Sequence, residues 1–212
     1  MEQQESELGK KNYWDTFYQS EFKNYEENTQ DEGEVWFGKG CENRVVNWIT
    51  NNIGSNAFVL DVGCGNGSLL FNLHSKGFSK LTGVDYSFDA CKLAITIAKN
   101  KNVAVRFEVA DVLDSNTIYQ FKNIKPDVVI DKGTYDAICL MLDAHSAADK
   151  YKQFITSLLR RTGNVSYSGA FSNEQPGKPC NITDPIFIIT SCNWTKAELR
   201  EHFAGWLIIL YD

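Results

Sequence analysis

The chain has 212 residues, 43% of them hydrophobic and 23% charged, which is enough to bury one proper core and ordinary for a soluble domain. Its net charge of −6 supplies no field to attract nucleic acid, and no apolar run reaches membrane-spanning length, so neither partner is expected. Six scattered cysteines, without a Cys-x-x-Cys pair or histidines at ligand spacing, point to reduced thiols and to no metal site.

The acidic start, Met-Glu-Gln-Gln-Glu-Ser-Glu, has neither a secretory nor a transit pattern. A cytoplasmic protein is expected, with the nucleus as a second location, and residues 1–7 as a disordered tail. Tyr13, Trp14, Phe17, Tyr18, Phe22 and Tyr25 then recur at the i, i+3/i+4 spacing of a helix with one apolar face over 10–27. That face reads first as packing on the domain edge, with substrate gating as the alternative. Polar residues 28–34 break the pattern, and Trp36 and Phe37 stand just ahead of a helix expected over 42–51. Loop aromatics in that place serve equally well as core or as the cover of a bound cofactor.

The stretch 58–67, Phe-Val-Leu-Asp-Val-Gly-Cys-Gly-Asn-Gly, is a short apolar run closed by glycines at alternate positions, and 68–74 continues with helix-like spacing. It reads as strand, tight turn and helix, the first unit of a nucleotide-binding α/β domain. Gly63, Gly65 and Gly67 remove Cβ atoms where the turn needs unusual dihedrals and where another molecule would press on the backbone. A dinucleotide fingerprint has its third glycine three positions after the second. Here Ser68 holds that place and the glycine comes early, at Gly67. Asp61 followed by Gly-x-Gly-x-Gly instead resembles the S-adenosyl-L-methionine site of Rossmann-like methyltransferases.

A second strand over 80–85 ends in Asp85, where an ionised acid is suited to accept from the two hydroxyls of a ribose. The competing role is a cap for the helix expected over 87–99. Residues 103–109 alternate as a third strand and lead into Asp111, placed to accept from an adenine amine while the Val112 N–H donates to the ring. The fourth strand, 126–131, is nearly continuous in β-branched residues, as a strand covered on both faces should be. Asp131-Lys-Gly-Thr-Tyr-Asp136 at its end is expected to flank the transferred group, since ligands of such sheets sit outside the carboxyl ends of strands. A plain turn capped by Thr134 and Asp136 is the alternative. A helix over 148–160 precedes 162–184, which is rich in Gly, Ser, Asn and Pro and reads as a flexible insertion in a single domain of 1–212. A fifth strand (186–190), a capping box at Thr195 and Glu198 opening the next helix, and a sixth strand (206–211) complete the chain.

On Ser6-Glu-Leu-Gly9 with Tyr13-Trp-Asp15, Glu34-Val-Trp-Phe-Gly38, the loop Leu60 to Gly67, Asp131 to Ala137 and Ser191-Cys-Asn-Trp-Thr195, the chain resembles the eukaryotic lysine methyltransferases of translation elongation factor 1-alpha. The resemblance covers residues 6–160 and 186–203. It implies a Rossmann-like α/β class I methyltransferase sheet with helices on both faces, S-adenosyl-L-methionine as cofactor, a lysine of elongation factor 1-alpha as substrate, and a monomer. It assigns the cofactor to Trp36, Asp61, Gly63, Gly65, Gly67, Asp85, Tyr86, Asp111 and Val112, and catalysis to Asp131, Tyr135, Asn193 and Trp194. The chain departs from the family twice. Residues 162–184 stand where a short turn is expected, and the last strand, which inserts beside strand five, is expected to be lacking. Strand six is then expected to lack a partner and to leave an apolar edge. A small-molecule methyltransferase and an inactive variant acting as a binding module are the alternatives. Because a lysine near its reference pKa of ~10.4 is protonated, a methylating site has to favour the neutral amine or accept its proton.

Overall fold

The computed structural model describes residues 6–121, 123–159, 185–204 and 208–211. Six strands, β1 (Phe58–Val62), β2 (Lys80–Asp85), β3 (Arg106–Val109), β4 (Val128–Lys132), β5 (Ile186–Thr190) and β6 (Ile208–Tyr211), pair in parallel in the order β3-β2-β1-β4-β5-β6. Helices α1 (Lys11–Glu27), α2 (Gly38–Asn52), α3 (Ser68–Ser75), α4 (Phe88–Lys101), α5 (Ser115–Phe121), α6 (Thr134–Ile138), α7 (Ala144–Leu159) and α8 (Lys196–His202) cover the sheet. Parallel pairing requires crossovers, and those helices keep both faces of the sheet dry.

The strand pleat decides which face each residue takes. Val59, Val128, Ile130 and Ile188 pack with Tyr18 and Phe22 of α1, Val45 and Ile49 of α2, Leu70 of α3 and Leu93 of α4. The alternate positions Leu60, Val62, Val129 and Phe187 pack with Phe121 of α5, Ile138 of α6, Tyr151 and Phe154 of α7 and Leu199 of α8. Asp61 pairs with Ile130 and Val62 with Asp131. Asp61 and Lys132 therefore belong to the α1–α4 face, and Asp131 to the α5–α8 face.

Several boundaries differ from expectation for local reasons. Helix α2 begins at Gly38 rather than at 42, because Phe37 takes a left-handed conformation (φ 64°) that turns the chain directly into it. Helix α4 runs to Lys101 and stops where Asn102 turns left-handed (φ 52°), so β3 starts only at Arg106. Helix α5, short and mostly polar, has no expected counterpart. The capping box of α8 is present, with Thr195 Oγ1 accepting from the Glu198 N–H and Glu198 Oε2 accepting from the Thr195 N–H at 2.8 Å. Strand β6 has a partner, contrary to expectation. It pairs with β5 from Phe187↔Ile208 to Thr190↔Tyr211, in the position beside β5 that the family resemblance gives to the last strand. Glu7–Gly9 form a 3-10 turn. Residues 1–5 of the expected tail and the expected insertion 162–184 lie outside the described residues.

Candidate active site

Strand order reverses between β1 and β4, and a cleft opens there outside the carboxyl ends of the strands. It encloses about 1040 Å³ with its open mouth and the solvent there included. One wall is the bend after β1. Gly63 and Gly65 have φ of 73° and 53°. A Cβ on Gly63 would stand 1.9 Å from Thr134 Oγ1, and one on Gly65 would stand 2.3 Å from the Tyr18 hydroxyl oxygen. At these two points the close approach is made by side chains of α6 and α1, which clamp the bend. Thr134 completes its side of the clamp by donating to the Val62 carbonyl at 2.7 Å.

Asp85 ends β2 on the same wall. Its Oδ2 accepts from the Gly65 N–H at 3.0 Å and its Oδ1 from the Ser87 N–H at 2.9 Å. Capping of α4 falls to the Ser87 hydroxyl, which accepts from the Ala90 N–H at 3.4 Å. Burial pushes the Asp85 carboxyl up to about 6, against the pull of the two backbone donors. Each oxygen keeps a lone pair for a ligand.

Trp36, Gly63, Gly65, Asp85, Tyr86, Val112 and Asn193 line the cleft; Asp61, Gly67, Asp111, Asp131, Tyr135 and Trp194 do not. Gly67 is taken up by packing, with Phe107 2.7 Å from where its Cβ would be. Asp61 is only 3% exposed and sits behind the wall. Burial pushes its carboxyl up to about 7, with Lys132 pulling it down and Glu42 and Asp85 pushing it further up. Asp111 is exposed and folds back on its own turn, accepting from the Leu113 N–H at 2.9 Å, while Ala110 and Val112 on either side of it line the cleft.

The expectation that Asp131 and Tyr135 face the cleft is corrected by the pleat. Asp131 is fully buried on the α5–α8 face, where it accepts from the Tyr151 hydroxyl, the Thr134 N–H at 2.8 Å and the Tyr135 N–H at 3.0 Å. Burial pushes it up to about 7, and the Tyr151 bond is the largest force opposing that. The Tyr135 ring packs 4.9 Å from Phe203, and its hydroxyl meets His202 Nδ1 at 3.1 Å. Trp194 packs 4.5 Å from the His202 ring.

Asp136, one turn further on, does line the cleft. Only 4% exposed, it accepts from the Ser191 hydroxyl at 2.5 Å and from the Cys192 N–H at 2.8 Å, tying α6 to the loop after β5. Cys192 and Asn193 stand beside it on the wall. Lys132, Tyr18, Glu34 and Asn66 are further lining residues that the site assignment missed. Tyr18 lay in the aromatic stripe read as edge packing. Lys132 and Asp136 lay inside the segment Asp131 to Asp136 after strand four, where no local signal separates them from Asp131.

Three buried carboxyls raised in this way make a testable statement about pH. Between about pH 4 and their folded values, Asp61, Asp85 and Asp131 keep protons that the unfolded chain has released. The folded state then binds more protons, so stability falls as pH rises through that window. His202, held down by burial, opposes the trend on its own, and it is largely solvated. The melting temperature of the unliganded protein is therefore expected to be higher near about pH 6 than near about pH 8. Scanning calorimetry showing the reverse order would contradict the burial of these groups.

A parallel sheet that reverses order above a glycine bend carries the general plan of a methyltransferase, and residues 53–206 match the family described as a methyltransferase domain. EEF1A lysine methyltransferase 2 of Mus musculus is 39% identical over 201 residues, which span 94% of this chain and 72% of that protein. Protein-lysine N-methyltransferase efm4 of Schizosaccharomyces pombe is 36% identical, spanning 94% of this chain and 81% of its own. The EFM4 protein of Saccharomyces cerevisiae is 36% identical, spanning 97% and 86%. The chain belongs to this EEF1A lysine methyltransferase 2 and EFM4 family of protein-lysine methyltransferases.

Proposed function

We propose that the protein transfers a methyl group from S-adenosyl-L-methionine to a lysine side chain of elongation factor 1-alpha. Asp85 is the observation that carries the cofactor assignment: a buried carboxyl on the cleft wall, braced by two backbone N–H groups, with lone pairs left for a sugar diol. The cleft also holds an unmet donor. The indole Nε1 of Trp36, a lining residue, is buried without a hydrogen-bond partner, as a site shaped for a polar ligand leaves it. The names of the relatives support elongation factor 1-alpha as the substrate. The net charge of −6 suits a basic partner surface.

When bound, the cofactor supplies a methyl group activated by a sulfonium with a neutral leaving group, so the chain has mainly to bind and orient. Asp85 holds the ribose, Ala110 and Val112 flank the base, and Trp36 and Tyr18 cover the ligand and keep water out. Tyr86 beside Asp85 stays a phenol, because burial and that neighbouring carboxylate push its pKa far up. At the reacting end Asp136 replaces Asp131 as the carboxylate near the incoming lysine. The Ser191 hydroxyl and the Cys192 N–H hold it in place to take a proton from the target ammonium, which frees the amine lone pair for attack on the methyl, and Asn193 steers that amine.

Asp136→Asn is expected to slow methyl transfer by about 10- to 100-fold while leaving cofactor affinity unchanged. Steady-state label transfer beside calorimetry checks this; a matching loss of affinity would move Asp136 into the cofactor's own contacts. The functional reading itself is tested by incubating the protein with methyl-labelled cofactor, purified elongation factor 1-alpha and a metabolite extract. Label on a lysine of the elongation factor is the expected result, and label confined to metabolites would assign the small-molecule alternative.

A further inference from the structure

Lys132 is the one cation among the described residues that line the cleft, where the charged neighbours are Glu34, Asp85 and Asp136. Its place follows from the pleat. Asp61 pairs with Ile130, and Lys132 lies two residues further along β4, on the same face of the sheet. The start of α6, two residues after Lys132, abuts the glycine bend, since Thr134 Oγ1 stands against the place a Gly63 Cβ would take. Lys132 Nζ donates to the Trp36 carbonyl at 3.2 Å, which uses one of its three N–H bonds. Its charge is felt by Asp61, whose carboxyl it draws down against burial.

A methionyl tail brought to this end of the cleft carries an ammonium and a carboxylate, and burying either charge unmatched is expensive. The lining carboxyls Asp85 and Asp136 offer negative charge to the ammonium. Nothing else on the described wall carries the positive charge that a carboxylate needs, and three carboxyl groups repel it. We propose that Lys132 determines specificity for the amino-acid end of the cofactor, its ammonium pairing with the methionyl carboxylate beside the glycine bend. This rests on the cleft being the S-adenosyl-L-methionine site.

The test is calorimetry with three ligands: S-adenosyl-L-methionine, its decarboxylated analogue, and methylthioadenosine, which lacks the amino-acid end. Wild-type protein is expected to bind the intact cofactor at least about tenfold more tightly than the decarboxylated analogue. Lys132→Gln should erase that preference by weakening the intact cofactor alone, and Lys132→Arg should keep it. Equal wild-type affinity for the intact and decarboxylated ligands overturns the proposal without any variant. So does a Lys132→Gln variant that loses all three ligands alike, since Lys132 would then only hold the Trp36 segment. In both cases wild-type binding of methylthioadenosine leaves the cofactor reading standing. Wild-type protein that binds none of the three ends that reading and this one together.

Discussion

Asp85→Asn is expected to weaken cofactor binding by about a hundredfold or more. A carboxylate that accepts from both hydroxyls of a ribose makes two charge-assisted hydrogen bonds, each contributing about 1.5–3 kcal/mol, so their loss corresponds to roughly 3 kcal/mol or more. An asparagine also turns its NH2 toward either the Gly65 or the Ser87 N–H, placing donor against donor where both oxygens now accept. The same carboxylate sets a pH dependence. With its carboxyl pushed up to about 6, it is a protonated and poor acceptor below that value, so cofactor affinity falls as pH drops through it. Calorimetric titration of wild type and variant across that range checks both statements. An Asp85→Asn variant within threefold of wild type, or affinity flat across the range, would remove Asp85 from the ligand contacts.

Asp131→Ala is expected to lose stability rather than chemistry. The substitution strands the Tyr151 hydroxyl and the Thr134 and Tyr135 N–H groups at a fully buried position, and it opens a cavity against α7. Breaking buried charged hydrogen bonds in this way costs about 3–5 kcal/mol. For a chain of 212 residues that is a fall in melting temperature of about 10 °C. At a temperature where the variant is folded, its cofactor affinity should match wild type. Scanning calorimetry and ligand titration on one preparation decide it. An undiminished melting temperature with abolished methyl transfer would return Asp131 to the reacting end.

The contrast between Asp85 and Asp131 shows what the amino-acid sequence makes legible. The bend at Gly63 to Gly67 and the acid ending the second strand are local features, tied to backbone geometry that few residue types can adopt, and they mark one wall of the cleft from spacing alone. Strand β4 is different. A strand buried on both faces has no polar side, so nothing in Val128 to Lys132 says which of two adjacent charged residues meets the cleft. That follows only from pairing with β1 and from the helices each face receives. Tyr18 was hidden for a related reason: an aromatic on the packed face of a helix looks like core until the helix is laid across the glycine bend. The partner of β6 was beyond local reading altogether, because it depends on which strand leaves the edge of β5 free.

On the proposed reading, the cleft between β1 and β4 holds an adenosyl cofactor with its sulfur turned toward Asp136. A structure of the protein with S-adenosylhomocysteine tests it most directly. The ribose hydroxyls are expected on Asp85, the base beside Val112, and the thioether facing Asp136 and Asn193. A ligand bound elsewhere, or one whose sulfur points away from Asp136, would contradict the account.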